Sequence, residues 1–289
     1  MDNQNNTEQQ LEKKSALRVV IHSFFVVPFI IAIFALLIFL VVRIMTAEPN
    51  KAQDYLEDVK IGGTTKRWQG AFELSKILSN PEMVPSDDRF VFEMISAFEY
   101  SSNDRDIRVM QYLALAMGAT KDVRYASALI KSLVHPESEM VMASAHALGN
   151  IGHSSAVNPL ISILKHGDSK VRLQSVISLG KIGEGSSITA LKEMMDDPEA
   201  NVRWDAAIAL AKQKDASGKR ILLDLLDRNY LDSFSNIDET EQVQAMMVAI
   251  NVSPFIQDLD LKRSLEKLRE GDPNLKIREV ARLALTQFE

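Results

Sequence analysis

The chain contains no cysteine. That excludes disulfide staples, thiolate zinc sites and a cysteine nucleophile together, and leaves the redox compartment open. Glycine and proline are scarce, 12 and 9 in 289 residues, too few for a loop-rich or all-β chain, so composition leans toward helix. An excess of basic charge is missing too. Against 33 Lys and Arg stand 39 Asp and Glu, a net charge of −6, without the basic footprint of a nucleic-acid protein. What remains is an ordinary globular balance, 46% hydrophobic and 25% charged, which rules out a wholly disordered or collagen-like chain. At a prior of about 150 residues per domain, the length suggests one large domain or two ordinary ones.

Apolar residues concentrate in one run, 19–42, which carries no formal charge from Val19 to Val42. As a helix the run would be about 36 Å long, against a hydrocarbon core of about 30 Å, and it reads as a single transmembrane helix in the lipid bilayer. Pro28 is tolerable there because its missing hydrogen bond can be covered locally. The run is about twice the length of a signal-peptide core, and Thr46 and Ala47 make a poor cleavage site, so an uncleaved anchor is expected. The polar residues 1–18 read as a disordered tail and residues 43–63 as a juxtamembrane linker that can hold a short helix. Lys13, Lys14 and Arg18 outnumber Arg43 and Lys51, which keeps the tail in the cytoplasm. The expected localisation is therefore a single-pass membrane protein with the remainder on the extracytoplasmic side.

Beyond the run the chain repeats itself. Blocks 104–134, 135–165, 166–196 and 197–227 have the same length of thirty-one residues, and their columns align. Gly118, Gly149, Gly180 and Ala211 form one column, preceded by Met117, Leu148, Leu179 and Leu210. Ala116, Ala147, Ser178 and Ala209 form a small-residue column, while Leu129, Leu160, Leu191 and Leu222 form a leucine column in the second half. Within each block two stretches of helical periodicity flank a break such as GEGSS. Small residues let neighbouring helices approach closely. A single hairpin cannot bury its apolar face, but a stack of them builds a continuous core.

Asp168 with Val171 and Arg172, and Asp197 with Val202 and Arg203, place an aspartate ahead of a Val-Arg pair and an alanine-rich run. Ile277, Arg278, Ala281, Ala284 and Leu285 repeat that spacing near the carboxyl end, and Arg67, Trp68 and Leu74 echo it near the start. In these residues the chain resembles HEAT repeats, in particular the short HEAT-like units of phycobilisome lyases. The resemblance covers roughly residues 64–289. It implies an α-solenoid of HEAT-like helical hairpins, which together with the apolar run gives an all-α fold: a transmembrane helix followed by the solenoid. The second block departs, with Met140 and Val141 where Val-Arg would stand, so an arginine ladder through every unit is not expected. Residues 228–241 break the period and read as an insertion.

Several motifs tempt and fail. GKIGEGSS lacks the preceding strand and the Gly-Lys-Ser/Thr ending of a phosphate loop, and Gly183 repeats Gly152 at the unit period. His135 and His166 lie one unit apart, which marks a turn position rather than a ligand set. Neither a His-Glu-x-x-His nor a nucleophile-elbow signature is present. No metal, cofactor or small-molecule substrate is expected, and the chain reads as a non-enzyme. Arg172, Arg203 and Arg278 either brace adjoining units or form a basic ladder.

The leading expectation is a membrane-tethered scaffold that binds a membrane-associated protein on the concave face of the solenoid. The alternatives are an accessory subunit of a membrane transporter or secretion complex, and a chromophore lyase as the resemblance implies. In HEAT-like stacks the second helices line the concave side, which makes Lys131, Asn158, Lys165, Lys192, Lys219 and Arg228 the candidate contacts for an acidic partner segment. Tyr230 and Phe234 in the insertion are the next candidates.

Overall fold

The structure is a computed structural model that describes residues 25–46, 51–104, 106–234 and 238–288, the side chains of 43–46 excepted. The chain divides into two units, Met1–Asn50 and Lys51–Glu289. Among the described residues every regular element is a helix.

In the first unit, α1 spans Val27–Thr46, and the side chains of residues 25–42 are all exposed. Its uncharged part runs from Val27 to Val42, since Arg43 follows. At 1.5 Å per residue that part measures about 24 Å, short of a hydrocarbon core of about 30 Å. Among the described residues no helix is long and apolar enough to cross a membrane. The single-pass membrane localisation, and the extracytoplasmic placement that depended on it, are thereby overturned. The uncharged run counted in the sequence is longer than the described apolar helix. The tail 1–18 and the first part of the expected span, 19–24, lie outside the described residues.

The second unit is a stack of helical hairpins. It opens with α2 (Ala52–Ile61), α3 (Thr64–Ile77) and α4 (Asp88–Ser101). Ala52, Leu56 and Val59 are buried, so the last part of the expected linker packs into the solenoid as its first helix. Four period-matched pairs follow: α5 (Arg108–Thr120) with α6 (Ala126–Lys131), and α7 (Ser138–Ile151) with α8 (Val157–Ser162). Next come α9 (Ser169–Ile182) with α10 (Ile188–Glu193), and α11 (Ala200–Lys212) with α12 (Lys219–Leu225). The stack closes with α13 (Arg228–Asp232), α14 (Glu239–Val252), α15 (Leu259–Gly271) and α16 (Leu275–Leu285).

The aligned columns explain the stacking. Met117, Leu148, Leu179 and Leu210 are fully buried, as are Leu129, Leu160, Leu191 and Leu222 in the second helices. The first helices pack directly on one another through the glycine column. A side-chain carbon added at Gly118 would lie 2.5 Å from Cα of Ala147, and one at Gly180 would lie 2.8 Å from Cβ of Ala209. Each of these four first helices is followed within two residues by a left-handed residue at the same repeat position: Lys121, Gly152, Gly183 and Lys214. Glycine reaches that conformation without strain, which fits Gly152 and Gly183 to the turn.

Three of the four units start with a side-chain cap. The Nδ1 atoms of His135 and His166 accept the backbone N–H groups of Glu137 and Asp168 at 3.1 Å each, and Oδ1 of Asp197 accepts that of Glu199 at 2.9 Å. These three residues share one repeat position, so the histidines close turns.

Candidate functional site

The arginines tie units together. Arg172 donates from Nε and Nη2 to both carboxylate oxygens of Asp197, at 2.7 and 2.9 Å, across one unit boundary. Those hydrogen bonds from Arg172 hold the buried Asp197 carboxyl below the usual carboxylate range. Arg228 grips Asp272 in the same bidentate way at 2.7 Å, and Arg67 donates to Asp104. Arg203 instead donates to the backbone carbonyls of Asp197 and Pro198, at 2.7 and 2.9 Å. The reason is positional: the residue one unit beyond Asp197 is Arg228, so Arg203 meets no capping carboxylate there. Val141 holds the Arg172 position one unit earlier, where the next unit's cap is His166 and offers no carboxylate.

The candidate lysines are also engaged. Lys131 pairs with Glu99 at 3.3 Å and Lys192 with Asp215 at 2.9 Å. Lys219 pairs with Asp258 and Asp260, at 2.7 Å each. Each acid lies in a neighbouring element, so these charges are balanced where they stand. Half-exposed pairs of this kind contribute about 0–1 kcal/mol each. Asn158 and Lys165 are exposed, and their side chains make no hydrogen bond or ion pair among the described residues.

Tyr230 and Phe234 fold back onto α11. With Trp204 they form an aromatic trio whose ring centroids lie 5.1 to 6.3 Å apart. The indole N–H of Trp204 donates to the Tyr230 hydroxyl at 3.2 Å, giving the buried ring the polar partner it needs.

This trio backs a feature that pattern reading missed. Between α11 and α14 lies an open groove of about 480 Å³, lined on one side by Trp204, Asp205 and Ile208 and on the other by Glu241, Ala245 and Val248. Trp204 and Ile208 show only 5% and 7% of their surface. The Asp205 carboxylate makes no hydrogen bond or ion pair among the described residues. Burial pushes its carboxyl up to about 6, opposed by the positive charge of Lys212 on the same helix. A carboxylate shifted by burial in a cleft is a functional-site candidate. Two signals were visible in the sequence. Asp205 is the charged member of a column that otherwise reads Tyr112, Ala143 and Gln174, and Ala211 replaces glycine in the packing column.

Comparison with known proteins agrees with the repeat. The HEAT repeats family matches residues 157–232. The chain is similar to the complex of CpcE and CpcF of phycocyanin lyase from Nostoc sp. PCC7120, at 16% identity and a TM-score of 0.58 over 83% of this chain and 88% of that one. It is similar to YibA of E. coli at 19% identity and a TM-score of 0.51, over 81% of each chain. The archaeal HEAT-like repeats protein from Thermococcus onnurineus NA1 matches at 15% identity and a TM-score of 0.45, over 83% and 98%. No curated protein sequence matches the chain. At these identities the likeness shows the fold alone, an all-helical repeat solenoid, and the HEAT match within it covers residues 157–232.

Proposed function

We propose that the chain is a non-catalytic scaffold that binds a protein partner on the surface of its solenoid. Stacked repeats expose long continuous surfaces to partners while each unit contacts mainly its neighbours. The observation that carries the reading is the groove between α11 and α14, an apolar recess beside a carboxylate that the stack itself does not use. On the second-helix side, the reading keeps Asn158 and Lys165 as contacts free for a partner. Lys131, Lys192, Lys219 and Arg228 serve the stack first. Their ion pairs leave little net positive charge to attract an acidic segment. Chromophore attachment is not carried over from the lyase, whose likeness to this chain is one of fold.

The test is affinity purification of the full chain from its native host, with quantitative mass spectrometry. A partner present in stoichiometric amounts with the wild type, and lost from a variant substituted at the groove or at Asn158 and Lys165, supports the scaffold. Recovery of no partner that depends on any of these positions sinks it.

A further inference from the structure

Between α5 and α7, α7 and α9, and α9 and α11, glycine meets alanine or serine so closely that nothing fits between the first helices. The next boundary differs. Ala211 carries the methyl group that the glycine column omits, and α14 enters after the insertion, out of register with the thirty-one-residue period. A spacing that accepts only glycine cannot be repeated there, and the helices part into the groove.

The other braced carboxylates of the stack have a cation: Arg67 for Asp104, Arg172 for Asp197 and Arg228 for Asp272. Asp205 has none. Lys212 acts on it through space without bonding to it. An ionised carboxylate held against apolar walls is costly until a cation meets it. The walls select what kind of cation fits. Ala245 and Val248, with the small exposed parts of Trp204 and Ile208, give the recess its apolar lining beside the carboxylate, and Glu241 adds negative charge at the opposite wall. Lysine and arginine combine an aliphatic stem with a charged end, the shape and charge order this recess requires. An acidic side chain would be repelled. A purely apolar one would bury Asp205 further and leave it unpaired.

We propose that this groove receives a lysine or arginine side chain from a partner protein, its stem lying along Ala245 and Val248 and its cation bonded to Asp205. The proposal rests on the scaffold reading and specifies the chemistry of the partner.

A random peptide library displayed on phage, panned against the full chain, tests it. Enriched peptides are expected to carry a lysine or arginine beside apolar residues. In synthetic form, they should lose at least about tenfold in affinity when that residue becomes norleucine, the scale of one charge-assisted hydrogen bond. Asp205→Asn should cause the same loss. Gln244→Lys, which places a competing cation at the exposed rim, should abolish binding, while Glu270→Gln, at an exposed position away from both proposed contact surfaces, should leave it unchanged. Circular dichroism and Tm establish that each variant is folded. Peptides that need no basic residue, or that bind Asp205→Asn and Gln244→Lys as well as the wild type, overturn the inference and leave the scaffold reading standing. If no peptide of any composition is enriched, both fall.

Discussion

Replacing Gly118 by alanine separates close stacking from helix propensity, because the two push in opposite directions. Gly118 lies inside α5, where alanine is the better helix former by about 1 kcal/mol. In isolation the change would stabilise. In the stack, the new carbon would sit 2.5 Å from Cα and 2.7 Å from Cβ of Ala147. Carbon atoms rest at about 3.5–4.0 Å, so α5 and α7 must separate by about 1 Å. The obstacle is the backbone of a helix that is itself packed on α9, so no side-chain rotation relieves it. Overpacking of a well-packed core costs about 1–3 kcal/mol, and rigid backbone on both sides places this case at the upper end. Less the propensity gain, a net loss of about 2 kcal/mol follows, or about 4–8 °C in Tm for a domain of this size. Gly271→Ala is the matched control. It ends α15 with nothing within 4 Å of the added carbon, and it should be neutral or slightly stabilising. Thermal unfolding followed by far-UV circular dichroism reads both. A Gly118→Ala protein as stable as the wild type would refute the close-stacking account.

Three further changes probe the rest of the structure. Leu179→Ala empties a fully buried position and should cost about 2–5 kcal/mol in urea unfolding, while an unchanged midpoint would mean the repeat columns are misaligned. Arg172→Ala leaves the Asp197 carboxylate buried without its cation and should cost about 3–5 kcal/mol at pH 7. The folded-state pKa of Asp197 is depressed, so this stabilisation is present above its unfolded value near 3.9 and disappears as pH falls through the folded value. A penalty that persists undiminished at pH 2 would contradict the ion pair as its source. Asp205 has the opposite sign: its pKa rises to about 6, so the folded state holds its proton longer than the unfolded state and stability declines between about pH 4 and pH 6. Asp205→Asn should therefore stabilise the chain at pH 7.5 by up to about 3 kcal/mol and have little effect at pH 4. Equal stability of the two proteins at both pH values would remove the argument that the carboxylate is desolvated.

The repeat was legible because its columns recur at a fixed spacing and each has one physical job. Leucines fill the core, glycine and alanine set the helix spacing, and Asp or His caps the turn. The period also marked its own limit at residue 228, where the register ends. What the sequence could not supply was the identity of partners distant along the chain. Lys131, Lys192 and Lys219 read as a basic stripe until Glu99, Asp215 and Asp258 arrive from neighbouring elements to balance them. The apolar run misled for a related reason. Counting uncharged residues from Val19 to Val42 measures composition, whereas the described helix begins at Val27 and meets Arg43 after its apolar part. The residues from Ala52 to Ile61 carry only three buried apolar side chains among charged ones, a pattern that reads as linker until α3 covers it. Asp205 was harder still, because its neighbours across the groove come from α14, beyond the break in the repeat.

Site-specific photocrosslinking in the native host tests the central claim most directly. The full chain carries a benzophenone side chain at Gln244 on the groove rim, at Asn158 on the second-helix side, or at Glu270 as an exposed control. The account predicts a discrete adduct with one protein from Gln244, its loss when Asp205→Asn is added, and none from Glu270. The absence of any adduct from the groove or the second-helix side would contradict the view that this solenoid works by binding a protein.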